Sequence, residues 1–176
     1  MSPRSLRCER LDRVRHEIAL RDFAQELRDE GDEWFALFLD DPDTFFELAR
    51  RFEEGRDLPP ERVRTTQFLF FDEARLVGAS RLRHALIPVL LLDGGNIGYE
   101  VRRSARRRGH ATQILCQTLL EARAIGLSRV LLTTGAGNAG SIRVIERVGG
   151  QADGLSVSPR TGETMRRYWL GTEAAI

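Results

Sequence analysis

An arginine-rich loop holds the plainest chemistry in this sequence. Residues 106–112 read Arg106-Arg107-Arg108-Gly109-His110-Ala111-Thr112 and stand between a strand-like segment and the start of an amphipathic helix. The first turn of a helix has backbone N–H groups without partners and the positive end of the helix dipole, so an anion placed there gathers several hydrogen bonds. Gly109 lets the backbone approach closely, and guanidinium groups around the loop can grip phosphate oxygens in pairs. The chain has no lysine, so arginine must supply every such contact. The chemistry indicated is pyrophosphate binding. The alternative is a solvated turn relieved by one glycine, and a pattern this short does not separate the two. Two other phosphate motifs are absent: there is no Gly-x-x-x-x-Gly-Lys-Ser/Thr, and the loop lacks the three glycines of a dinucleotide fold.

The elements around the loop follow from periodicity. Ile97-Gly98-Tyr99-Glu100-Val101 reads as the preceding strand, with Tyr99 and Glu100 on opposite faces. Ala111, Ile114, Leu115, Thr118, Leu119 and Ala122 recur at helical spacing up to Gly126, and Val130-Leu131-Leu132-Thr133 is a short buried strand. A helix over residues 139–148 follows, stopped by Gly149-Gly150, then a hairpin about residues 159–162 ending in Tyr168-Trp169-Leu170. In the first half, a strand near residues 5–10 precedes a helix that turns Leu11, Val14, Ile18 and Phe23 inward and ends near Gly31. A second helix carries Phe45, Leu48, Ala49 and Phe52 between capping residues 41–44 and Gly55. A hairpin pairs residues 68–71 with 76–78 about Asp72-Glu73. Residues 87–92 are predicted to be a strand, and 93–96 a turn.

Bulk properties bound the function. The 176 residues, 41% hydrophobic, suit a single domain spanning 1–176. Arg numbers 27 against 26 acidic residues, so no global field attracts nucleic acid or an anionic membrane. Cys8 and Cys116 form no CxxC pair, and His16, His84 and His110 lack metal-ligand spacing, which predicts reduced thiols and no metal. The charged N-terminus has no apolar signal core, so a cytoplasmic location is expected.

Residues 95–150 resemble the GNAT superfamily of N-acetyltransferases, whose central signature is a strand, an Arg/Gln-x-x-Gly-x-Gly/Ala loop and a helix. Here the loop reads Arg106-x-x-Gly109-x-Ala111, and the family's Asn at the start of the next helix is present as Asn138, followed by Ala139-Gly140-Ser141. A more local resemblance, carried by residues 95–101, 141–146 and Arg167-Tyr168-Trp169, is to bacterial acetyltransferases of unassigned substrate. The resemblance implies an α/β fold with a mixed, mostly antiparallel central sheet flanked by helices on both faces. It implies acetyl-CoA as cosubstrate, with backbone groups of Val101 and Arg103 at the thioester and pantetheine. The pyrophosphate would sit on Arg106, Arg107, Arg108, Gly109, His110, Ala111 and Thr112, and Asn138 and Ser141 would flank the pantetheine arm in the gap between two splayed strands.

The implied reaction transfers acetyl to an amine on a small molecule or peptide; the acceptor, any longer acyl donor and a homodimer are left open. An amine must lose a proton to attack the thioester, and the leaving thiolate must gain one. Val101 N–H is the expected oxyanion donor and Glu100 the expected base, with an ordinary ion pair to a nearby Arg as the equally weighted alternative for Glu100. Many family members place a Tyr acid seven positions after the Asn; here that position is Ile145. Ser141, Tyr99, Tyr168 or water could replace it. Cys116 reads as a structural thiol, and His84 and His110 are weaker base candidates. The missing Tyr also leaves room for a catalytically silent acyl-CoA-binding module. RNA binding through residues 106–108 ranks last, for want of surrounding basic surface and interleaved aromatics.

Overall fold

The computed structural model describes residues 5–174; residues 1–4, part of the charged opening read above, and residues 175–176 lie outside it. One antiparallel sheet runs in the order β1 (Arg7–Arg10), β2 (Thr65–Asp72), β3 (Arg75–Arg83) and β4 (Ile97–Val101). A second, β5 (Arg129–Gly135), β7 (Thr164–Gly171) and β6 (Gln151–Val157), is also antiparallel. The helices are α1 (Arg13–Arg28), α2 (Glu33–Asp40), α3 (Pro42–Glu54), the short α4 (Pro88–Leu92), α5 (His110–Ala124) and α6 (Ala139–Arg147). The expected α/β architecture is present.

The two-residue alternation of β2 and β3 sends side chains into two cores. Leu69, Phe71, Leu76 and Ala79 pack with Phe23, Phe35 and Phe45 of α1–α3. Phe68, Phe70 and Leu82 pack on the other side with Ile114, Leu115 and Leu119 of α5. Helices therefore cover both faces of the first sheet.

Between β4 and β5 the ladder stops. Asn96 N–H donates to the Leu131 carbonyl at 2.7 Å, and Leu131 N–H donates to Asn96 Oδ1 at 2.9 Å. No ladder pairing joins the two strands beyond that clasp, so the sheets part there. Gly95 makes the close crossing feasible: its φ is +57°, and a Cβ there would fall 2.3 Å from the Leu131 carbonyl oxygen.

Three local expectations change. Residues 87–92 form no strand: Pro88 opens α4, where its missing N–H costs nothing, and a short apolar run does not distinguish a buried helix from a strand. The inward face of α1 is His16, Leu20, Phe23, Ala24 and Leu27, whereas Val14 and Ile18 are 95% and 87% exposed. A buried histidine suits the inward face because Asp12 N–H donates to its Nδ1 at 3.0 Å and Glu9 lies 3.2 Å from its Nε2. The helix α2, to which the sequence reading assigns no element, is capped by Asp32, which accepts from Phe35 N–H.

The end of α1 also braces the arginine-rich loop. Glu26 accepts from Arg102 Nε at 2.9 Å and from Ser104 N–H at 3.1 Å. Partial burial pushes Glu26 up, but Arg102 and Ser104 outweigh it and hold the carboxyl at about 2, against an ordinary 4.5. A carboxylate with a depressed folded-state pKa contributes stability above its unfolded value and loses it as pH falls toward the folded one. The thermal midpoint should therefore fall as pH drops from about 4.5 toward about 2, and Glu26→Gln should flatten that part of the curve. A midpoint-against-pH curve identical to that of the wild type would show that this brace carries no acid sensitivity.

Candidate active site

The gap left by the parted sheets opens into a cleft of about 950 Å³ between β4 and the start of α5 on one side and α6 on the other. Tyr99, Glu100 and Val101 line it from β4; Arg106, Arg107, Gly109, His110, Ala111 and Thr112 line it from the loop; Asn138 and Ser141 line it from α6. Residues far apart in sequence are thus brought to one cleft. Arg103 and Arg108 are exposed and are not among the lining residues. Arg103 begins a 3-10 turn over Arg103–Ala105.

The start of α5 differs from the other long helices. Asp12, Asp32, Asp41 and Asn138 each cap a helix with a side-chain oxygen, but α5 begins at Gly109 with no side-chain cap. Gln113 N–H is the first to reach a helix carbonyl, that of Gly109 at 3.3 Å. The N–H groups of His110, Ala111 and Thr112 are therefore free to bind an anion from the cleft. Gly109 has φ +81°, and a Cβ there would meet nothing within 4 Å, so the backbone at this point is open.

The side chain of Arg106 serves another purpose. Its Nε donates to the Val101 carbonyl at 2.9 Å and its Nη1 donates to Glu30 at 2.8 Å, so it fastens the loop between β4 and the turn after α1. Free cations come instead from Arg107, Arg143 and Arg147, which line the cleft and have no acidic partner within ion-pair distance among the described residues. Arg143 and Arg147 were missed in the sequence because their helix carries no phosphate pattern. Their i, i+4 spacing, which gives one helix face two arginines, was the signal available.

On β4, Arg102 N–H donates to the Val77 carbonyl at 3.0 Å. By the alternation of an antiparallel ladder, the backbone groups of Tyr99 and Val101 then face away from β3, toward the gap. Glu100 is paired with Arg81 at 2.9 Å and its side chain is 13% exposed. Burial pushes its carboxyl above the ordinary range, opposed by Arg81. Tyr99 hydroxyl lies 2.9 Å from Ser141 Oγ across the cleft. Burial pushes the phenol up, opposed by the Ser141 hydrogen bond. Asn138 Oδ1 accepts from Ser141 N–H at 3.0 Å, which fixes Ser141 at the helix start.

The other candidates lie elsewhere. Ile145 is fully buried in the core and does not line the cleft, whereas its neighbour Val144 does. Tyr168 is 1% exposed, with its hydroxyl donating to Glu146. His84 Nε2 meets Thr66 Oγ1 at 2.9 Å, away from the cleft, and burial pushes its pKa down. Cys116 packs beside the core, where burial pushes its thiol up.

The family model for the acetyltransferase (GNAT) domain matches residues 20–151, most of the chain. This chain belongs to the GNAT acetyltransferases. It is an acyl-CoA-dependent N-acetyltransferase, and its acyl donor is acetyl-CoA. No curated protein matches by sequence. The GNAT fold is seen again in solved structures. RimL, a ribosomal L7/L12 alpha-N-protein acetyltransferase in complex with coenzyme A, is 17% identical with TM-score 0.73, over 97% of this chain and 96% of that one. The yncA structure from Salmonella typhimurium with its cofactor acetyl-CoA is 10% identical with TM-score 0.60, over 96% and 95%. A chimera of spermidine N-acetyltransferase SpeG from Vibrio cholerae and hSSAT is 13% identical with TM-score 0.66, over 98% of each. The uncapped helix start, the three unpaired arginines and the free strand edge in this GNAT chain fit a ligand with phosphates at one end and an amide-rich arm at the other.

No helix among the described residues is long and apolar enough to cross a membrane.

Proposed function

We propose that this enzyme transfers acetyl from acetyl-CoA to the amine of an acceptor held beside Glu100. The observation that supports it is the coincidence, in one cleft, of the uncapped α5 with the free edge of β4. The N–H groups of residues 110–112 hold the pyrophosphate, with Arg107, Arg143 and Arg147 as flanking cations. The free edge of β4 offers the pantetheine amides strand-like hydrogen bonds, as an added strand would receive.

Val101 N–H lies at the end of that edge and donates to the thioester oxygen as negative charge develops there. Glu100 takes the proton of the attacking amine, directly or through water. Its burial favours the work: a carboxyl raised above its usual range is a stronger base once ionised. The Tyr99–Ser141 pair supplies the proton that the departing thiolate needs. Such a thiolate has an ordinary pKa near 8.5, below that of a phenol, so the transfer is completed as solvent at neutral pH returns a proton to the pair. The buried Ile145 takes no part.

Calorimetry with coenzyme A, acetyl-CoA and adenosine tests the binding half. Coenzyme A and acetyl-CoA should bind, and adenosine, which lacks pyrophosphate and pantetheine, should bind at least about tenfold more weakly, since each charge-assisted contact is worth that order. Equal affinity for adenosine and coenzyme A would remove the pyrophosphate cradle from the account.

A further inference from the structure

On the face of β3 and β4 turned away from α5, two guanidiniums stand side by side. Arg81 is opposite Gly98 in the β3–β4 pairing, and Arg83 follows two residues later on the same face. A Cβ built on Gly98 would lie 3.8 Å from Arg83 Nη1 and 4.0 Å from both Arg81 Nε and Arg83 Nη2, with nothing closer. Gly98, which has no side chain, therefore leaves both guanidiniums within contact distance of a group placed over its Cα.

The charges there are unevenly matched. Arg81 spends one nitrogen on Glu100, while its Nε is buried and without a partner. Glu100 Oε1 is also buried and without a partner. Arg83 Nη1 donates to the carbonyls of Gly94 at 2.8 Å and Gly95 at 3.2 Å, and no carboxylate lies within ion-pair distance of Arg83 among the described residues. Burial and the neighbouring Arg81 push Arg83 down to about 10, and Arg160 and Arg62 act in the same direction against Glu100. Asp32 adds negative charge on the Arg81–Glu100 side. A largely buried cation with no counter-ion is costly unless an anion arrives to pair with it. The unmatched group is Arg83, and its Nη1 lies at contact distance from the position above Gly98.

We propose that Arg81 and Arg83 receive a carboxylate carried by the acceptor, so that the substrate is an amine of the amino-acid kind rather than a polyamine. This rests on the reading of Glu100 and Val101 as the place of transfer. Gly98 and Glu100 share a strand face two residues apart, about 7 Å along the strand. A carboxylate over Gly98 thus places an amine a few bonds away beside Glu100. A polyamine at the same place would bring further positive charge against two guanidiniums.

The test measures thiol release from acetyl-CoA with straight-chain amino acids from glycine to 6-aminohexanoate, each against its amide, together with spermidine and the peptide Gly-Glu-Glu. The acids should exceed their amides by roughly tenfold or more in kcat/KM, the size expected for a charge-assisted contact. Preference for the peptide over every free acid would overturn the amino-acid reading of the acceptor. Arg83→Gln should abolish the acid-over-amide ratio through KM, leaving coenzyme A affinity unchanged. Gly98→Val, which occupies the position above Gly98 beside both guanidiniums and keeps both charges, should do the same and guards against a folding defect in the first variant. Calorimetry with glutarate supplies a readout independent of turnover: binding should weaken with added salt and vanish in both variants. Absence of glutarate binding to the wild type, acids and amides of equal rate, or spermidine as the best acceptor would each overturn the proposal. Glutarate binding that both variants lose, with no amine releasing thiol, would sustain the anion site and overturn amine transfer at Glu100.

Discussion

Glu100→Gln should lower kcat/KM for the true acceptor by roughly tenfold to a thousandfold, the range a positioned general base supplies, while coenzyme A affinity changes little. The substitution keeps shape and a hydrogen-bond acceptor for Arg81 but removes the proton site. Burial raises the Glu100 carboxyl above its ordinary 4.5, and Arg81 only partly offsets this. A base works in its ionised form, so the wild-type rate should fall as pH drops through that raised value, giving an acidic limb above the usual carboxylate range. That limb should be missing in Glu100→Gln. The alternative for Glu100, an ion pair to a nearby Arg, is present with Arg81 as the partner at 2.9 Å, and the variant separates the two roles. A purely structural pair would show as a lowered thermal midpoint with the pH profile of activity intact. Full activity across pH would return Glu100 to that role and leave the proton to solvent.

Gly109→Val should weaken coenzyme A binding by about tenfold or more. Nothing lies within 4 Å of a Cβ at this position, so the loss would not come from a clash inside the protein. It would come from the backbone: Gly109 sits at φ +81°, where a β-branched residue is strained by roughly 1–2 kcal/mol. Relief of that strain moves the N–H groups of residues 110–112 away from a common target, and a side chain would also stand where phosphate must approach. The same strain should lower the thermal midpoint by a few degrees, roughly 2–4 °C per kcal/mol for a chain of this size. Gly109→Ala, with no branch, should fall between the two. Unchanged coenzyme A affinity in Gly109→Val would mean that the phosphates bind elsewhere, with Arg143 and Arg147 the first place to look.

The contrast between Arg106 and Gly109 shows how local and long-range information divide. Both belong to the signature loop. The role of Gly109 is a property of its own backbone and was legible from the Gly between a strand and a helical pattern. The role of Arg106 depends on Glu30, 76 positions away, and no reading of the loop by itself reveals that its guanidinium is already held. Ile145 is a similar case: the sequence marks the missing Tyr, but only the packing shows that the position faces the core.

What the sequence determined by itself was set by short-range physics. The period of 3.6 in α5, the caps at Asp41 and Asn138, the two-residue alternation of β2 and β3, and the glycine at a helix start are each decided within a few residues. Tertiary structure decided whatever depends on which surface an element meets. Val14 and Ile18 keep a helical spacing yet face outward, because the satisfied His16 and the phenylalanines of α1–α3 claim the inward side. Residues 88–92 are apolar enough for a strand or a helix, and Pro88 with the crossing over Leu131 selects the helix. The Tyr99–Ser141 contact, the arginines of α6 beside the phosphate loop, and the Arg81–Arg83 pair over Gly98 arise where strands and helices distant in sequence converge. Their geometry is set by the parting of β4 from β5 beyond the Asn96–Leu131 clasp, a long-range event to which no local pattern corresponds.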